Sequence, residues 1–474
     1  MMRSLAVLLL LVLVGCGGSA PAAAPPATST VETMLADRDR DGFLERGAPG
    51  EPLRERGTRA LPGRTLATFG QLTDTHVRDE ESPARVPFLD RLGAPLDSTF
   101  RPHEAFSTQV LDAAVRALRR ERPEAVVVTG DIVDSAQENE LDAAVALLEG
   151  GPVRPDSGAR GYDGVQAADN PDPFYFRPDN DAPRHPGALA GAQREFRAAG
   201  LGVPWYPAVG NHDLLVQGEV PATDAIEKVA TGTQLVTGLD VDSLPYVDED
   251  DAPSVVDDLL TYGEAYGRSE TVPADPARRH PAPAEIVQRL AGAAGVQPAG
   301  EDRLDYTFDL GAEARGIVLD TVDREGGSRG MVTSAQVDWL RGELARAGER
   351  WVVVFAHNPL ESSDGGEGAL AALDRADRVA GVVAGNRHRN TIEPRGGYWL
   401  IGTSSLADFP QQARMFRLRE AGDGVALETW MVDHDGRGLA GTARELAYLD
   451  AQGGRPQGFA GRPEDRNARL FVRP

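Results

Sequence analysis

Five apolar runs in this sequence are each followed at once by a polar cluster that holds histidine, aspartate or asparagine. Each run has the composition of a buried strand. Functional side chains of α/β proteins usually lie just beyond the carboxyl ends of such strands. The sequence therefore predicts an α/β protein with one site that gathers these clusters. The residues concerned are Asp74 with His76, Asp131, Asn211 with His212, His357, and His388.

A single cluster of this kind carries little weight, because a lone buried histidine is more often a satisfied core residue than a metal ligand. The spacing of Asp74 and His76 adds to the argument. In extended chain, residues two apart point to the same side, so these two side chains can share one cation. The recurrence of five such clusters is hard to obtain by chance, and we interpret them together as one metal site.

The order of the predicted elements indicates a parallel sheet. Residues 65–72 and 125–128 are predicted to be buried strands, and residues 103–120 between them carry apolar side chains four apart, as in a helix. Pro123 follows this helix as a stop signal. A strand, helix and strand in this order predict a βαβ unit.

One large domain is predicted over residues 34–435, interrupted by two insertions. The first, at about 150–186, is rich in Pro, Gly, Asp and Asn. The second, at about 214–302, holds no recognisable chemistry and is a candidate cap over the site. Residues 436–474 are predicted to be a C-terminal tail, because they are rich in Gly, Arg and Pro.

The beginning of the chain has the features of a bacterial export signal. Residues 1–15 combine a basic start with an apolar run too short to be a stable membrane span. Leu13-Val14-Gly15-Cys16 resembles the lipobox of bacterial lipoproteins, which implies cleavage before Cys16 and lipidation of that residue. Residues 16–33 would then be the lipidated cysteine and a flexible tether, on a protein anchored in the cell envelope. An ordinary secretory signal with an incidental cysteine is the alternative interpretation.

The charge of the chain excludes one class of partner. The formal net charge is −24, and a general nucleic-acid binder would need a basic face. We therefore expect no stable complex with nucleic acid. Residues 37–42 match the start of a calcium loop, but Ala48 stands where the loop needs a bidentate acid. We interpret that segment as a solvated turn rather than as part of a calcium-dependent adhesion module.

The ordered series of motifs D-x-H, G-D-x-x-D, G-N-H-D, a strand-end His and G-x-x-H resembles the calcineurin-like metallophosphoesterases over about residues 65–430. The opening of the chain, its insertions and residues 408–412 are similar to a secreted bacterial branch with long inserts. The resemblance implies a four-layer α/β/β/α sandwich with two metal ions. Mixed imidazole and oxygen donors suit Mn, Fe or Zn ions, divalent or trivalent.

The resemblance also implies a role for each matched residue. The ligands it implies are Asp74, His76 and His388 for the first metal, Asp131 as the bridge, and Asn211 and His357 for the second metal. His212 would protonate the leaving group, and Asp134 and Asp213 would orient ligands. A hydroxide held by the metals would attack phosphorus, since two cations about 3.5–4 Å apart can stabilise both the entering and the leaving oxygen.

One position departs from the family pattern. The last motif is usually G-H-x-H, and here Asn386 stands where the first histidine would serve the second metal. An amide oxygen is a weaker, neutral donor, so we expect a weaker second metal or a more oxygen-preferring ion there. A degraded site is the alternative. Arg387, next to His388, is a candidate contact for substrate phosphate or merely a surface arginine.

The sequence as a whole favours a lipid-anchored, metal-dependent phosphoesterase of the bacterial cell envelope. Its substrate would be a phosphomonoester, a phosphodiester or a nucleotide, and the sequence does not choose among them or indicate an oligomeric state. The alternative is a non-catalytic envelope lipoprotein that uses the same sandwich as a binding module. Asn386 motivates that alternative, and His212, which structure alone would not require, speaks against it.

Overall fold

A computed structural model describes residues 28–94, 96–239, 248, 250–453 and 459–473. The predicted signal peptide, the lipidation site Cys16 and most of the predicted tether lie outside these residues. Among the residues described, no helix has both the length and the apolar character needed to cross a membrane.

The described chain alternates between strands and helices. The strands are β1 (Thr33–Ala36), β2 (Glu45–Pro49), β3 (Arg54–Arg56), β4 (Pro62–Leu72), β5 (Ala125–Thr129), β6 (Gly151–Val153), β7 (Phe196–Ala198), β8 (Trp205–Ala208), β9 (Gln234–Leu239), β10 (Gly267–Thr271), β11 (Tyr306–Asp309), β12 (Ala314–Leu319), β13 (Trp351–Ala356), β14 (Val379–Ala384), β15 (Thr391–Arg395), β16 (Tyr398–Gly402), β17 (Gln412–Ala421), β18 (Gly424–Asp433) and β19 (Ala468–Val472). The helices are α1 (Ser107–Glu121), α2 (Glu138–Glu149), α3 (Ala188–Ala192), α4 (Asn211–Leu214), α5 (Asp224–Ala230), α6 (Ala252–Tyr266), α7 (Pro283–Ala294), α8 (Ser334–Ala347), α9 (Gly366–Leu373), α10 (Gly438–Gly453) and α11 (Pro463–Arg466). Short 3-10 turns occupy Pro87–Leu92, Glu104–Phe106 and Pro276–Arg278.

Two large mixed sheets form the body of the protein. One has seven strands in the order β3-β19-β18-β17-β4-β5-β8, and the other has six in the order β11-β12-β13-β14-β16-β15. The strands β4, β5 and β8 run parallel, as do β12, β13, β14 and β16. The predicted βαβ unit is therefore confirmed: β4 and β5 are parallel neighbours, and α1 lies between them in the sequence. Parallel neighbours also bring their carboxyl ends to one edge of each sheet.

The two sheets pack face to face through aromatic side chains. Phe69 of β4 meets Phe355 of β13 with ring centroids 5.7 Å apart, and Tyr206 of β8 stacks on Phe308 of β11 at 3.8 Å. The outer faces are covered by helices, with α1 against β17 and β18 and α8 against β12 and β13. This is the predicted four-layer α/β/β/α sandwich.

The second insertion ends earlier than the predicted residue 302. The elements β9, α5 and α6 share a small apolar core of their own, in which Val236, Val256 and Leu260 pack with Phe88. By contrast, α7 lies against β8, and its buried side chain Leu290 belongs to the main core. No separate element is predicted here from the sequence, and apolar periodicity cannot show which core a helix covers.

Both predicted terminal boundaries also need correction. Residues 436–474 are not a simple tail, because β19 pairs with β18 on one side and β3 on the other. The predicted tether is also too long at its C-terminal end. Ser29 pairs with Val432, and Thr30 is buried, where its hydroxyl donates to the carbonyl of Met431 at 3.0 Å. Short segments of this kind gain order from tertiary contacts that their own composition does not reveal.

Candidate metal centre

The carboxyl ends of the parallel strands carry the predicted site residues. Asp74 and His76 follow β4 and Asp131 follows β5, while His357 and His388 follow β13 and β14. The backbone leaves the strands in an unusual conformation, with φ of 49° at Asp74, 40° at His76, 48° at Asp131 and 53° at His388. Side chains other than glycine seldom adopt positive φ, and such strain is concentrated at functional sites.

Four of these residues form one tight group. A ligand atom from each of Asp74, His76, Asp131 and His388 lies within 4.8 Å of all the others. The Nε2 atoms of His76 and His388 are 3.3 Å apart. Nε2 of His388 also lies 3.2 Å from Oδ1 of Asp74, and Nε2 of His76 lies 3.7 Å from Oδ2 of Asp131. These are the residues predicted for the first metal and the bridge.

The tautomers of both histidines favour a cation at this point. Nδ1 of His76 lies 3.0 Å from Oδ1 of Asp134, and Nδ1 of His388 lies 2.5 Å from Oδ2 of Asp408. A neutral imidazole that donates from Nδ1 presents a lone pair at Nε2. With both rings neutral, two lone pairs and two carboxylates converge at this point. This donor set fits a transition-metal ion.

A second group of acceptors meets on the other side of Asp131. Nε2 of His357 lies 3.1 Å from Oδ2 of Asp131 and 3.2 Å from Oδ1 of Asn211. Nδ1 of His357 donates to the carbonyl of Thr129 at 2.8 Å, so Nε2 of the neutral ring would again be an acceptor that faces acceptors. The amide nitrogen of Asn211 donates to the carbonyl of Gly218 at 3.0 Å, which turns its oxygen toward His357.

The structure places Asn386 beside the first group. Its backbone N–H donates to Oδ1 of Asp74 at 3.0 Å, and its side-chain nitrogen donates to the carbonyl of Ser328 at 3.4 Å. Its role as a ligand of the second metal stays a prediction. Arg387 is 47% exposed at its side chain and pairs with Glu361 at 3.3 Å, so a role in substrate binding also stays a prediction.

His212 is held next to the centre but remains open to solvent. Its backbone N–H donates to Oδ1 of Asp131 at 2.9 Å, and its Nδ1 donates to the carbonyl of Asp134 at 2.5 Å. Its ring contacts that of His76 with centroids 4.6 Å apart. The His212 side chain is 24% exposed, whereas that of His76 is 3% exposed. Of these two histidines, His212 is the one that a substrate can reach.

Asp213 and Asp134 support the centre in different ways. Asp213 accepts from the backbone N–H groups of Ile132 at 2.7 Å and Gly210 at 2.8 Å, so it ties the turn after β5 to the turn after β8. Burial, together with Asp131, raises the pKa of Asp213 to about 7. Burial opposes ionisation of Asp134 too, but Arg78 outweighs it and holds the pKa of Asp134 well below its usual value.

The electrostatics of the centre favour positive charge. Burial alone would lower the pKa of His357, but Asp131 outweighs burial and raises that pKa to about 10. Asp74 and Asp408 likewise overcome burial at His388 and raise its pKa to about 9. Burial and the neighbouring His212 lower the pKa of His76 to about 4. A proton or a metal ion at His357 and His388 therefore stabilises the centre, while the ring of His76 is neutral near pH 7.

Two glycines allow the close approach of the strands' ends. A Cβ at Gly210 would lie 2.2 Å from Oδ1 of Asp131, and a Cβ at Gly385 would lie 2.5 Å from Oδ2 of Asp74. Any larger residue at either position would displace a carboxylate of the centre. This explains on steric grounds why each of these strand-end motifs begins with glycine.

Sequence reasoning missed the charged residues behind the centre. Asp408 and Arg101 lie far from any strand-end motif, and they meet His388 through long-range contacts. The segment 78–82, directly after the D-x-H motif, is also buried despite four charged residues. A run of charges normally predicts a solvated face, so the sequence held no signal for its burial.

Histidine and carboxylate side chains that could hold metal ions converge at the carboxyl ends of two packed sheets, as expected of a metal-dependent phosphoesterase. The family model of the calcineurin-like phosphoesterases matches residues 67–390, and the chain belongs to this family. It is therefore a hydrolase that acts on phosphoric esters, from a family that depends on two metal ions. No curated protein sequence matches the chain.

Solved structures with a similar arrangement include two phosphatases. A dimetal phosphatase from Danio rerio is 16% identical with a TM-score of 0.41, over 78% of this chain and 97% of that one. A purple acid phosphatase from yellow lupin (Lupinus luteus) seeds is 10% identical with a TM-score of 0.32, over 82% of this chain and 53% of that one. At these TM-scores neither likeness carries a conclusion about activity or substrate.

Proposed function

We propose that this protein hydrolyses phosphoric esters of small molecules, nucleotides among them, at a dinuclear centre of Mn, Fe or Zn ions. The position of Asp131 carries the proposal. Its Oδ2 lies 3.7 Å from Nε2 of His76 and 3.1 Å from Nε2 of His357. One carboxylate thus stands between two sets of acceptors, which is what a bridge between two cations requires.

The proposed ligands follow from the two groups of donors. Asp74, His76 and His388 would hold the first ion, Asn211 and His357 the second, and Asp131 both; Asn386 completes the second set in this proposal. When bound, such ions supply positive charge to the phosphoryl oxygens and make water a stronger acid. The neutral amide oxygens of Asn211 and Asn386 make the second set the weaker one.

His212 is the proposed general acid. Its Nδ1 is occupied by the carbonyl of Asp134, so a proton for the leaving oxygen has to come from Nε2. The hydrogen bond from its backbone N–H to Asp131 fixes the ring relative to the bridge. A positioned proton donor of this kind contributes about 10²- to 10⁴-fold to a rate.

The test is a substrate panel assayed with a His212→Gln variant. The panel contains an aryl phosphomonoester, an aryl phosphodiester and a nucleoside monophosphate, each with added Mn²⁺. We expect hydrolysis of at least one substrate and a loss of about 10²- to 10⁴-fold in kcat in the variant, with metal content unchanged.

A His185→Gln variant is the matched control, because His185 pairs with Glu445 away from the centre. Turnover by His212→Gln equal to that of the wild type would contradict the assignment, and absence of turnover on every substrate would favour a non-catalytic binding module.

We also propose that the protein is exported and anchored in a bacterial envelope membrane through Cys16. The sequence Leu13-Val14-Gly15-Cys16 supports this. Mass spectrometry of the mature protein should show an N-terminal cysteine that carries acyl chains. An unmodified N-terminus would overturn the anchoring proposal and leave the enzymatic one intact.

A further inference from the structure

A buried chain of charged groups leads from His388 away from the candidate centre. Nδ1 of His388 lies 2.5 Å from Oδ2 of Asp408. Arg101 holds that carboxylate with two hydrogen bonds, from Nε to Oδ1 at 2.7 Å and from an Nη to Oδ2 at 3.1 Å. Asp408 and Arg101 are each 3% exposed. Such a bidentate pair fixes the plane of the carboxylate.

Every partner of the Asp408 carboxylate is a donor. Besides Arg101 and His388, the hydroxyl of Ser405 approaches Oδ2 at 3.4 Å. The hydroxyl of Ser405 in turn accepts from the backbone N–H of Asp408 at 3.0 Å, which fixes the loop. The carboxylate therefore requires a proton on Nδ1 of His388, and when the second proton leaves the ring the lone pair is on Nε2.

A second chain of charged groups, again a carboxylate and an arginine, lies behind His76. Nδ1 of His76 lies 3.0 Å from Asp134, and Arg78 donates to the same oxygen at 2.5 Å. Glu104 joins the two chains, because it accepts from the side chain of Arg78 at 2.5 Å and from the backbone N–H of Arg101 at 3.1 Å. The segment between β4 and α1 thus supplies both arginines and their common carboxylate.

We propose that Asp408, clamped by Arg101, is a positioning residue that fixes the tautomer and ring direction of His388 before a metal binds. This inference rests on the proposed role of His388 as a ligand of the first metal. The first site is then preformed in the metal-free protein and takes up its ion without rearrangement. A carboxylate behind a ligand histidine raises the basicity of that ligand and fixes its orientation.

A purely structural role for the ion pair predicts something different. An Arg101–Asp408 pair that only joins two loops would affect folding stability and leave the tautomer of His388 unchanged. The tautomer and the affinity for the first metal are therefore the readouts that separate the two roles.

The experiment compares the wild type with Asp408→Asn and with a Glu428→Gln control. Glu428 is 2% exposed and pairs with Arg469 at 2.8 Å in the outer part of the seven-stranded sheet, so its variant removes a buried carboxylate remote from the centre. In Asp408→Asn the amide NH₂ group would face donors only, and His388 is expected to move its proton to Nε2. Nitrogen NMR of the metal-free proteins reports this proton, and Mn²⁺ titration reports the affinity.

We expect Nδ1 of His388 to carry a proton in the wild type and in Glu428→Gln, and to lack it in Asp408→Asn, where the remaining proton is on Nε2. We expect the dissociation constant of the tighter Mn²⁺ site to rise about 10- to 100-fold in Asp408→Asn alone.

Unchanged affinity in Asp408→Asn, with a wild type that binds Mn²⁺, would overturn this inference and leave the proposed function standing. A wild type that binds no Mn²⁺ would overturn both. If Asp408→Asn does not fold, the absence of a proton from Nδ1 of His388 in the metal-free wild type would still overturn the inference.

Discussion

Nε2 of His76 and Nε2 of His388 face each other at 3.3 Å, and each ring is turned that way by a carboxylate at its Nδ1. Asp74 and Asp408 outweigh burial and raise the pKa of His388 to about 9, so near neutral pH a proton on Nε2 of His388 balances this contact in the metal-free protein. We expect a metal ion bound at this point to replace that proton.

Metal removal should lower the stability of the fold. A ligand that binds only the folded state stabilises it by about 4 kcal/mol at 1,000 times its dissociation constant. Thermal unfolding with excess Mn²⁺ and after chelation should differ by an amount of this order. In a His388→Gln variant most of the difference should disappear. An equal Tm with and without chelator in the wild type would contradict metal binding at this site.

Replacing Asn386 by histidine should strengthen the second metal site. The substitution restores the family's G-H-x-H pattern, and imidazole is the better donor for Zn and Fe. We expect the dissociation constant of the weaker site to fall by about tenfold or more, which corresponds to about 1.4 kcal/mol. Arg389→His on the same loop is the control for a general effect of an added imidazole. Equal affinities in the wild type and Asn386→His would show that position 386 does not serve a metal.

Loss of Arg278 should destabilise the protein strongly. Arg278 is fully buried, donates to Asp79 at 3.0 Å and to the hydroxyl of Ser157 at 2.8 Å, and thereby joins both insertions to the segment after the D-x-H motif. Arg278→Met leaves the buried Asp79 without this partner, which costs about 3–5 kcal/mol. Urea unfolding measures the loss.

The neighbouring Arg279 provides the matched control. Its side chain is 38% exposed and pairs with Glu138 and Glu285, so Arg279→Met should cost no more than about 1 kcal/mol. Similar losses in both variants would contradict the conclusion that the insertions support the core of the site.

Asp305 should give the fold a measurable pH dependence. Burial, together with Asp320, raises the pKa of Asp305 to about 7, well above the usual value of an aspartate. The folded state therefore keeps this proton while the unfolded chain loses it, so the contribution of Asp305 to stability falls as pH rises from about 4 to about 7. In Asp305→Asn this fall should shrink by no more than about 4 kcal/mol.

A control variant separates the effect of Asp305 on the pH dependence of stability from the effects of other carboxyl groups. Asp309→Asn on β11 alters an exposed carboxylate whose side chain is 74% exposed, and its pH profile should match that of the wild type. Stability profiles of Asp305→Asn and the wild type that run parallel from pH 4 to 7 would contradict the shifted pKa.

The strand-end clusters could be predicted because their signal is local. An apolar run and the residue after it, such as Val128 and the nearby Asp131, lie together in the sequence. Parallel pairing then brings distant clusters to one edge without further information. The fold class and the gathering of these residues followed from that pattern.

The groups that orient the ligands could not be predicted in this way. Asp408 and Arg101 are 307 residues apart and meet only in the folded chain. The burial of Asp79, which follows His76 by three positions, depends on Arg278 and Ser157 from two other segments. Likewise, β19 is ordered by β18 and β3 rather than by its own composition.

The measurement that tests the dinuclear assignment most directly is the metal content per chain, determined by mass spectrometry after reconstitution with Mn²⁺ and desalting. The arrangement of acceptors on both sides of Asp131 predicts two ions per chain in the wild type, and fewer in an Asp131→Asn variant, whose amide oxygen is a weaker bridge. One ion per chain, or none, in the wild type would contradict the dinuclear centre.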